Sequence, residues 1–318
     1  DNYLDKLVKS GNKIMIVKQV EDPKLAKGLV KREIVEIITP GAILDEKLIT
    51  RKDNVFLASV HWEKNSQKIG YACLDISTGD FRFTELNQAV LRDELLRTQP
   101  REIVVRTSDQ KAILEDLRLD YQPALSIYDT WHYEYSEAKK LIKDHFHVIS
   151  LESLGIQNKH SGLVASAVAL SYIKSLRSED LNHITALNYY SLDHYMQIDE
   201  VSRRNLELLR SMRTNDREAS LLSVIDETMT PMGARLLTHY LQYPLMDKEL
   251  IGMRLDAVDA FKDNIAFTRD LRTILHEIGD LSRIISRLAT LRANARDIAV
   301  LGTYLQTAPM IQDLLQRF

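Results

Sequence analysis

Asp75, Asp80 and Glu85 stand close together in the chain, Asp75 at the end of one apolar run and the other two on the next. A two-metal nuclease needs several carboxylates holding divalent ions about 3.5–4 Å apart, and Asp75 lies where a first-strand acid of such a site would be. The same residues also suit a turn. Asp75 and Asp80 flank Ser77-Thr78-Gly79, where Asp side chains accept backbone hydrogen bonds. No second acidic cluster further along completes a metal site, so the turn role is expected and metal-dependent nuclease chemistry is the alternative. His145 and His147 are two residues apart near a helix end and cannot share a helix face. The lone Cys73 allows neither a disulfide framework nor a thiolate zinc site. No catalytic, metal-binding or cofactor-binding residue is therefore expected.

Nucleotide chemistry is also not expected of this chain. It contains no G-x-x-x-x-G-K-[ST] and no G-x-G-x-x-G, the glycine patterns that let backbone N–H groups converge on phosphates. Basic residues do cluster: Arg203, Arg204, Arg210, Arg213 and Arg217, then Arg283, Arg287, Arg292 and Arg296. Such stripes can neutralise a nucleic-acid backbone. Glu200, Glu207, Asp216, Asp280 and Asp297 interleave with them, which favours a solvated or ion-paired face. Arg203, Arg204, Arg283 and Arg287 are the candidates for either role.

The elements that would position these residues divide the chain. A net charge of −3 with 27% charged and 45% hydrophobic residues is ordinary for a globular protein. The length of 318 residues allows two or more domains. The longest apolar stretch, at 163–173, is too short to span a bilayer. No signal peptide is visible, and a reducing cytoplasm is expected. The chain begins without Met in a helical pattern and stops without a helix cap, so it is expected to be a piece of a longer protein.

Residues 1–39 read as a short α/β remnant, with an apolar helix face at Tyr3, Leu4, Leu7 and Val8 and strands at 14–17 and 33–38. Residues 40–52 read as a linker. Residues 53–178 read as α/β: three strands in succession (55–62, 69–76, 79–86) with turns at Lys64-Asn65-Ser66 and Ser77–Asp80. A helix around Leu91–Leu96, a strand at 102–105 and helices near 109–117, 136–145 and 161–176 follow. A ribonuclease H-like sheet is one such order. Residues 179–318 read as all-α after an extended patch at 195–199. Apolar faces are expected at Ile251, Leu255, Val258 and Phe261, at Leu281, Ile284, Ile285, Leu288 and Leu291, and at Ile298, Leu301 and Leu305. Asp247 and Pro309 are expected to start helices.

One helix is bracketed with unusual firmness. Thr230 suits its N-cap and Pro231 its first position, while Pro244 disfavours helix at Tyr243. Gly233 costs roughly 1 kcal/mol against Ala there, which is either a tolerated glycine or the close approach of another backbone.

Longer motifs carry a resemblance. The stretches 21–37 (EDPKLAKGLVKREIVEI) and 38–49 (ITPGAILDEKLI) closely resemble the end of the mismatch-reading domain of the bacterial MutS family. GYACLDISTGDFRFTEL (70–86) resembles the opening sheet of that family's connector domain. IDEVSRRNLELL (198–209), the stretch 221–247 around the bracketed helix, and GDLSRIISRLA (279–289) resemble the start of its helical core.

This resemblance implies a multidomain α and β protein: a mismatch-domain remnant, a ribonuclease H-like connector and the first part of an all-α core, or lever, domain. It implies a longer homodimeric parent that binds mismatched duplex DNA, uses ATP and Mg²⁺, recruits MutL and works near the nucleoid in a bacterial cytoplasm, with no membrane role. The connector of that family offers a surface to MutL, and the charged helix carrying Glu137, Lys139, Lys140 and Lys143, after Trp131, Tyr133 and Tyr135, is the candidate here. The family reads a mismatch with a Phe-x-Glu motif near its N-terminus. Phe83-Thr84-Glu85 fits that pattern, but it lies on a connector strand and is expected to serve the sheet.

Overall fold

The computed structural model describes residues 2–21, 28, 30–50, 52–63, 67–117, 119–177 and 181–316. The turn expected at Lys64-Asn65-Ser66, part of the 21–37 stretch and the expected division at 178/179 fall outside them. The chain forms two units, Asp1–Ile49 with Val55–Tyr190, and Thr50–Asn54 with Ser191–Phe318.

The first unit opens with α1 (Asn2–Lys9), which stops before Gly11 at φ 78°, a left-handed value that glycine takes without Cβ strain. Strands β1 (Ile14–Gln19) and β2 (Arg32–Ile38) pair antiparallel, with a register shift between Ile16 and Val17. Val8, Ile38, Ile43, Leu48, Ile49 and Val55 form a small core beside them. Residues 40–49 contribute to two cores: Ile43, Leu48 and Ile49 to this small one, and Ala42 and Leu44 to the larger cluster of the same unit.

The larger sheet is built on β3 (Leu57–Trp62), β4 (Ile69–Asp75) and β5 (Asp80–Leu86), paired antiparallel in sequence. Strand β6 (Glu102–Val105) joins β3 in parallel and β7 (Ala124–Ile127) joins β6 in parallel. Strand β8 (Asn188–Tyr189) lies parallel to β5, giving the order β7-β6-β3-β4-β5-β8. β7 and β8 are too short to show a period, so the sequence does not announce them.

Every residue of β4 is buried, as expected of a strand covered on both faces. Helices α2 (Gln88–Thr98) and α4 (His160–Leu176) both pack on β4, and α3 (Tyr135–Phe146) packs on α4. Asn87 caps α2 by accepting from Val90 N at 3.0 Å. In α4, Gly162, Ala165, Ala167 and Ala169 keep the approach close. A Cβ on Gly70 would sit 1.8 Å from the Ser161 carbonyl oxygen, and one on Gly162 would sit 2.6 Å from Phe83 Cδ2. Between 112 and 116 the expected helix is a single π-helical turn.

The second unit holds α5 (Glu200–Asn205), α6 (Leu221–Ile225), α7 (Pro231–Gln242), α8 (Lys248–Asp263), α9 (Ile265–His276), α10 (Leu281–Ala289) and α11 (Ala295–Gln316). Two expectations are corrected here. The 195–199 patch is non-helical, with a bridge between Tyr195 and Leu245, but 206–220 is turn rather than helix. Pro309 lies inside α11 instead of starting a helix; its ring removes one backbone donor, and good helix formers on both sides carry the element through. The expected core faces are largely exposed: Leu255 is 59%, Val258 60%, Ile298 58% and Leu305 60% exposed, and only Ile284 of the α10 face is deeply buried. Periodicity finds an amphipathic helix but not what covers it.

Helix α7 follows its brackets. Thr230 Oγ1 accepts from Gly233 N at 3.1 Å, and the helix stops before Tyr243-Pro244. A Cβ on Gly233 would meet that same Thr230 oxygen at 3.1 Å, with Thr228 side-chain atoms next. The glycine therefore accommodates its own cap, and the nearest atoms are side-chain atoms rather than a second backbone.

Candidate functional site

The carboxylates on the sheet are engaged by backbone amides and neighbouring side chains. Asp75, fully buried, accepts from Val55 N at 3.1 Å, Ser77 N at 2.9 Å and Ser77 Oγ at 2.7 Å, while its carbonyl accepts from Gly79 N at 2.8 Å. It organises the β4–β5 turn. Asp80 pairs with Arg82. Glu85 accepts from Ser161 N at 3.0 Å and Gly162 N at 3.3 Å, so its carboxylate sits on the N-terminus of α4, where unpaired N–H groups and the helix dipole favour negative charge. Among the described residues no three His, Cys, Asp or Glu side chains are grouped to hold a metal ion. The metal-dependent nuclease alternative is not supported.

Phe83 and Glu85 share a sheet face because strand side chains alternate. Phe83 is fully buried against Gly162 and the Tyr189 ring, 5.4 Å between centroids. The pair seats α4 on the sheet, and Phe83 has no exposed face to offer a base.

A polar centre that sequence reasoning missed lies at Glu102, the first residue of β6. It is fully buried and accepts from Thr39 Oγ1, Gly41 N (3.0 Å), Ser126 Oγ and Tyr172 OH (2.6 Å). Four donors from three separate stretches replace the water a carboxylate loses on burial. Burial, then the neighbouring Glu102 charge, pushes the Tyr172 hydroxyl well above its ordinary range. Arg177, also buried, holds the Ala42 carbonyl at 2.7 Å and Glu36 at 3.3 Å. The available signal was a charged residue heading an otherwise apolar strand.

Helix α3 turns Ala138 and Ile142 inward and leaves Lys139 and Lys140 exposed, with Glu137 and Lys143 half-buried. The segments around it carry large exposed apolar residues, Trp131 at 70% and Ile149 at 93%. Tyr133 is turned inward: Arg106 lies over its ring at 5.0 Å, and burial raises its hydroxyl pKa. Tyr135 stacks on His160 at 4.3 Å. The exposed lysines and Trp131 give a charged helix face beside an exposed aromatic ring.

Two histidines of this unit are held neutral. Burial, followed by the Arg106 charge, lowers His61 to about 4. Burial and then Lys174 lower His145 to about 4, and its Nε2 pairs with the Ile184 carbonyl at 3.0 Å.

In the helical unit most of the candidate arginines are engaged in ion pairs. Arg203 pairs with Glu200 at 2.6 Å and Arg287 with Asp297 at 2.6 Å. Arg283 is 1% exposed and cannot reach a phosphate. It donates to the carbonyls of Thr50 (3.2 Å) and Asp53 (2.7 Å) and lies 3.6 Å from Asp280. Arg204 is exposed. Asp226 gathers Lys52 at 2.7 Å, Arg217 and the Thr228 amide. Burial would raise its pKa, but the Lys52 and Thr228 hydrogen bonds outweigh that and leave it below the ordinary carboxylate value.

Known proteins resemble this chain along its whole length. The model of MutS domain I matches residues 1–47, that of MutS domain II residues 54–185 and that of MutS domain III residues 201–318. The protein called DNA mismatch repair protein MutS from Lachnoclostridium phytofermentans is 36% identical over 99% of this chain and 34% of its own length. Proteins of the same name from Desulforapulum autotrophicum and Chlorobium phaeobacteroides are 37% and 35% identical, each over 99% of this chain and 36% of the relative. The chain spans about a third of the length of these relatives.

Proposed function

Because the chain belongs to the MutS family of DNA mismatch-repair proteins and carries that family's domains I, II and III in order, we propose that it serves mismatch repair as a connecting and partner-binding region. The observation that carries this reading is the unbroken order of the three domain matches. The relatives' name attaches to proteins about three times as long. A mismatched duplex as ligand, ATP with Mg²⁺ as cofactors, a homodimeric assembly and a cytoplasmic, nucleoid-associated setting are accordingly proposed for the longer protein. The chain as given is proposed to have no ATPase activity of its own. Among the described residues no helix is long and apolar enough to cross a membrane.

Within this reading domain II is a ribonuclease H-like connector. The sheet order supports it: three antiparallel strands, β3 to β5, with β6 and β7 added in parallel beside β3. A scaffold of this kind carries no chemistry of its own, since function depends on the site rather than the fold, and the carboxylates here are spent on structure. Domain III is the lever.

The partner surface is assigned to α3, through Glu137, Lys139, Lys140 and Lys143, and the partner is of the MutL type. Exposed lysines beside an exposed tryptophan support the assignment. Arg204 is the remaining candidate for contact with the DNA backbone. The test is binding of a MutL-type protein to the chain carrying Lys139→Glu and Lys140→Glu. Affinity is expected to fall about tenfold or more, as like charges are placed against a partner selected for lysines. Unchanged binding removes α3 from the surface.

A further inference from the structure

Helices α8 and α9 of the helical unit meet at a tight turn, since Asn264 ends the one and leads directly into Ile265 of the other. The loop before α7 is tied to them. Arg272 of α9 donates to the Glu227 carbonyl at 2.9 Å, and Met229, two residues on, lines the same cleft as the turn. That cleft has a volume of about 580 Å³, a size that accepts a small organic molecule. Met229, Phe261 and Ile265 give it apolar wall, and Phe261 is steadied by stacking on Phe267, 5.9 Å between ring centroids. We infer that this cleft is a binding site for a compact organic anion, one with an aromatic or branched apolar body and a carboxylate, sulfonate or phosphate head.

Charge selects the head. The wall carries three cations, Lys262, Arg269 and Arg272, against one acid, Glu277, which lies 3.9 Å from His276. Lys262 pairs with Asp259 at 3.7 Å and Arg269 with Asp270 at 3.5 Å, and both members of each pair are exposed. Such pairs are worth little, so both cations can turn to an incoming anion at small cost. The backbone adds to them. Asn264 donates its amide to the Ala260 carbonyl at 2.9 Å and gives α9 no side-chain cap, so the first N–H groups of α9 and its dipole also favour negative charge beside Ile265. The apolar wall selects the body. Thr268 and Thr273 line the cleft too, but their hydroxyls donate to the Phe261 and Arg269 carbonyls at 2.6 and 2.9 Å, so neither donates to a ligand. A neutral polar molecule gains little here, whereas an anion with an apolar body matches both halves of the wall. The site lies wholly within the helical unit and does not rest on the partner assignment above.

The test uses the full chain and two probes that share one aromatic body, anilinonaphthalene sulfonate and its uncharged analogue phenylnaphthylamine. Fluorescence titration is expected to show saturable binding of the sulfonate at one site, with the neutral analogue about tenfold weaker there, the scale of a few exposed ion contacts. Hydrogen exchange with the sulfonate bound should slow in 261–277 and stay unchanged in 200–225, where Val201 and Val224 are also exposed. Lys262→Glu with Arg269→Glu should weaken the sulfonate about tenfold and leave the neutral analogue as it was. Both residues are exposed, so the variant keeps its fold, which an unchanged circular dichroism spectrum would show. Ile265→Asp should weaken both probes. Sulfonate affinity indifferent to the two charge reversals would overturn the site, and so would equal binding of the two probes. Protection spread over other exposed apolar segments without saturation, the mark of an adventitious additive only, would overturn it as well.

Discussion

Arg235 and Asp280 meet through two hydrogen bonds, Nη1 to Oδ2 at 2.6 Å and Nη2 to Oδ1 at 2.9 Å, with both side chains under a tenth exposed. Asp280 also caps α10, so this one carboxylate joins the bracketed helix α7 to the next helix that carries buried charge. Removing Arg235 takes its two closest charged contacts from a buried carboxylate, with Arg283 at 3.6 Å remaining. Arg235→Met is expected to cost the helical unit about 3–5 kcal/mol, and Arg235→Lys should recover little because lysine cannot make the two-pronged contact. Hydrogen exchange of segments 231–242 and 281–289 would show it as loss of protection in both. Retained protection would mean the pair is dispensable.

Two glycines should differ in how badly they tolerate a methyl group. At Gly162 the added carbon meets a Phe83 ring edge, which can shift, and Gly162→Ala should cost about 1–3 kcal/mol. At Gly70 it meets the Ser161 backbone at 1.8 Å, so Gly70→Ala should cost more and separate α4 from β4. Both tryptophans, Trp62 and Trp131, lie in this unit, so fluorescence-detected urea unfolding reports on it selectively. Equal midpoints for the two variants would contradict this ordering.

Glu102→Gln replaces an acceptor with a donor in a cage of donors. The Gly41 amide cannot turn round, so the new NH₂ must face Ser126 and Tyr172, whose hydroxyls then have to rotate away. A loss of about 1–3 kcal/mol is expected from the same fluorescence measurement, and an unchanged midpoint would show that the cage adapts freely.

Acidification should destabilise the first unit before its carboxylates titrate. His61 and His145 have folded pKa values near 4 against an ordinary 6.5. Between those values the unfolded chain holds protons that the native chain does not, so stability rises with pH across the window and is lost as pH falls from about 6.5 toward 4. Urea midpoints at pH 7, 6 and 5 should decline in order. A flat series would mean both imidazoles are accessible to protons in the folded unit.

Local signals in the sequence were the most legible. Thr230 and Pro231 placed the start of α7, and Asp247 the start of α8, because a cap is a contact between neighbours in the chain. The three strands β3 to β5 were visible from the turn at Ser77–Asp80 and their apolar runs. Pairings across long separations were not. Nothing near Glu102 in sequence names Thr39 or Tyr172 as its donors, and nothing near Arg283 names Thr50. The residues expected on apolar faces of α8 and α11 do lie on helices, but most of them are exposed, and periodicity carries no statement of what lies against them. Of the candidate site residues, Lys139 and Lys140 are exposed as a contact surface requires, whereas Arg283 is enclosed, a difference that charge pattern alone cannot show.

The reading of this chain as connecting region rather than mismatch reader is tested most directly by fluorescence anisotropy with matched and single-mismatch duplexes across a salt series. The account predicts no difference between the duplexes: either no binding, or weak binding that falls with salt as backbone contacts do. A clear preference for the mismatch, abolished by Phe83→Ala without loss of the fold, would contradict it.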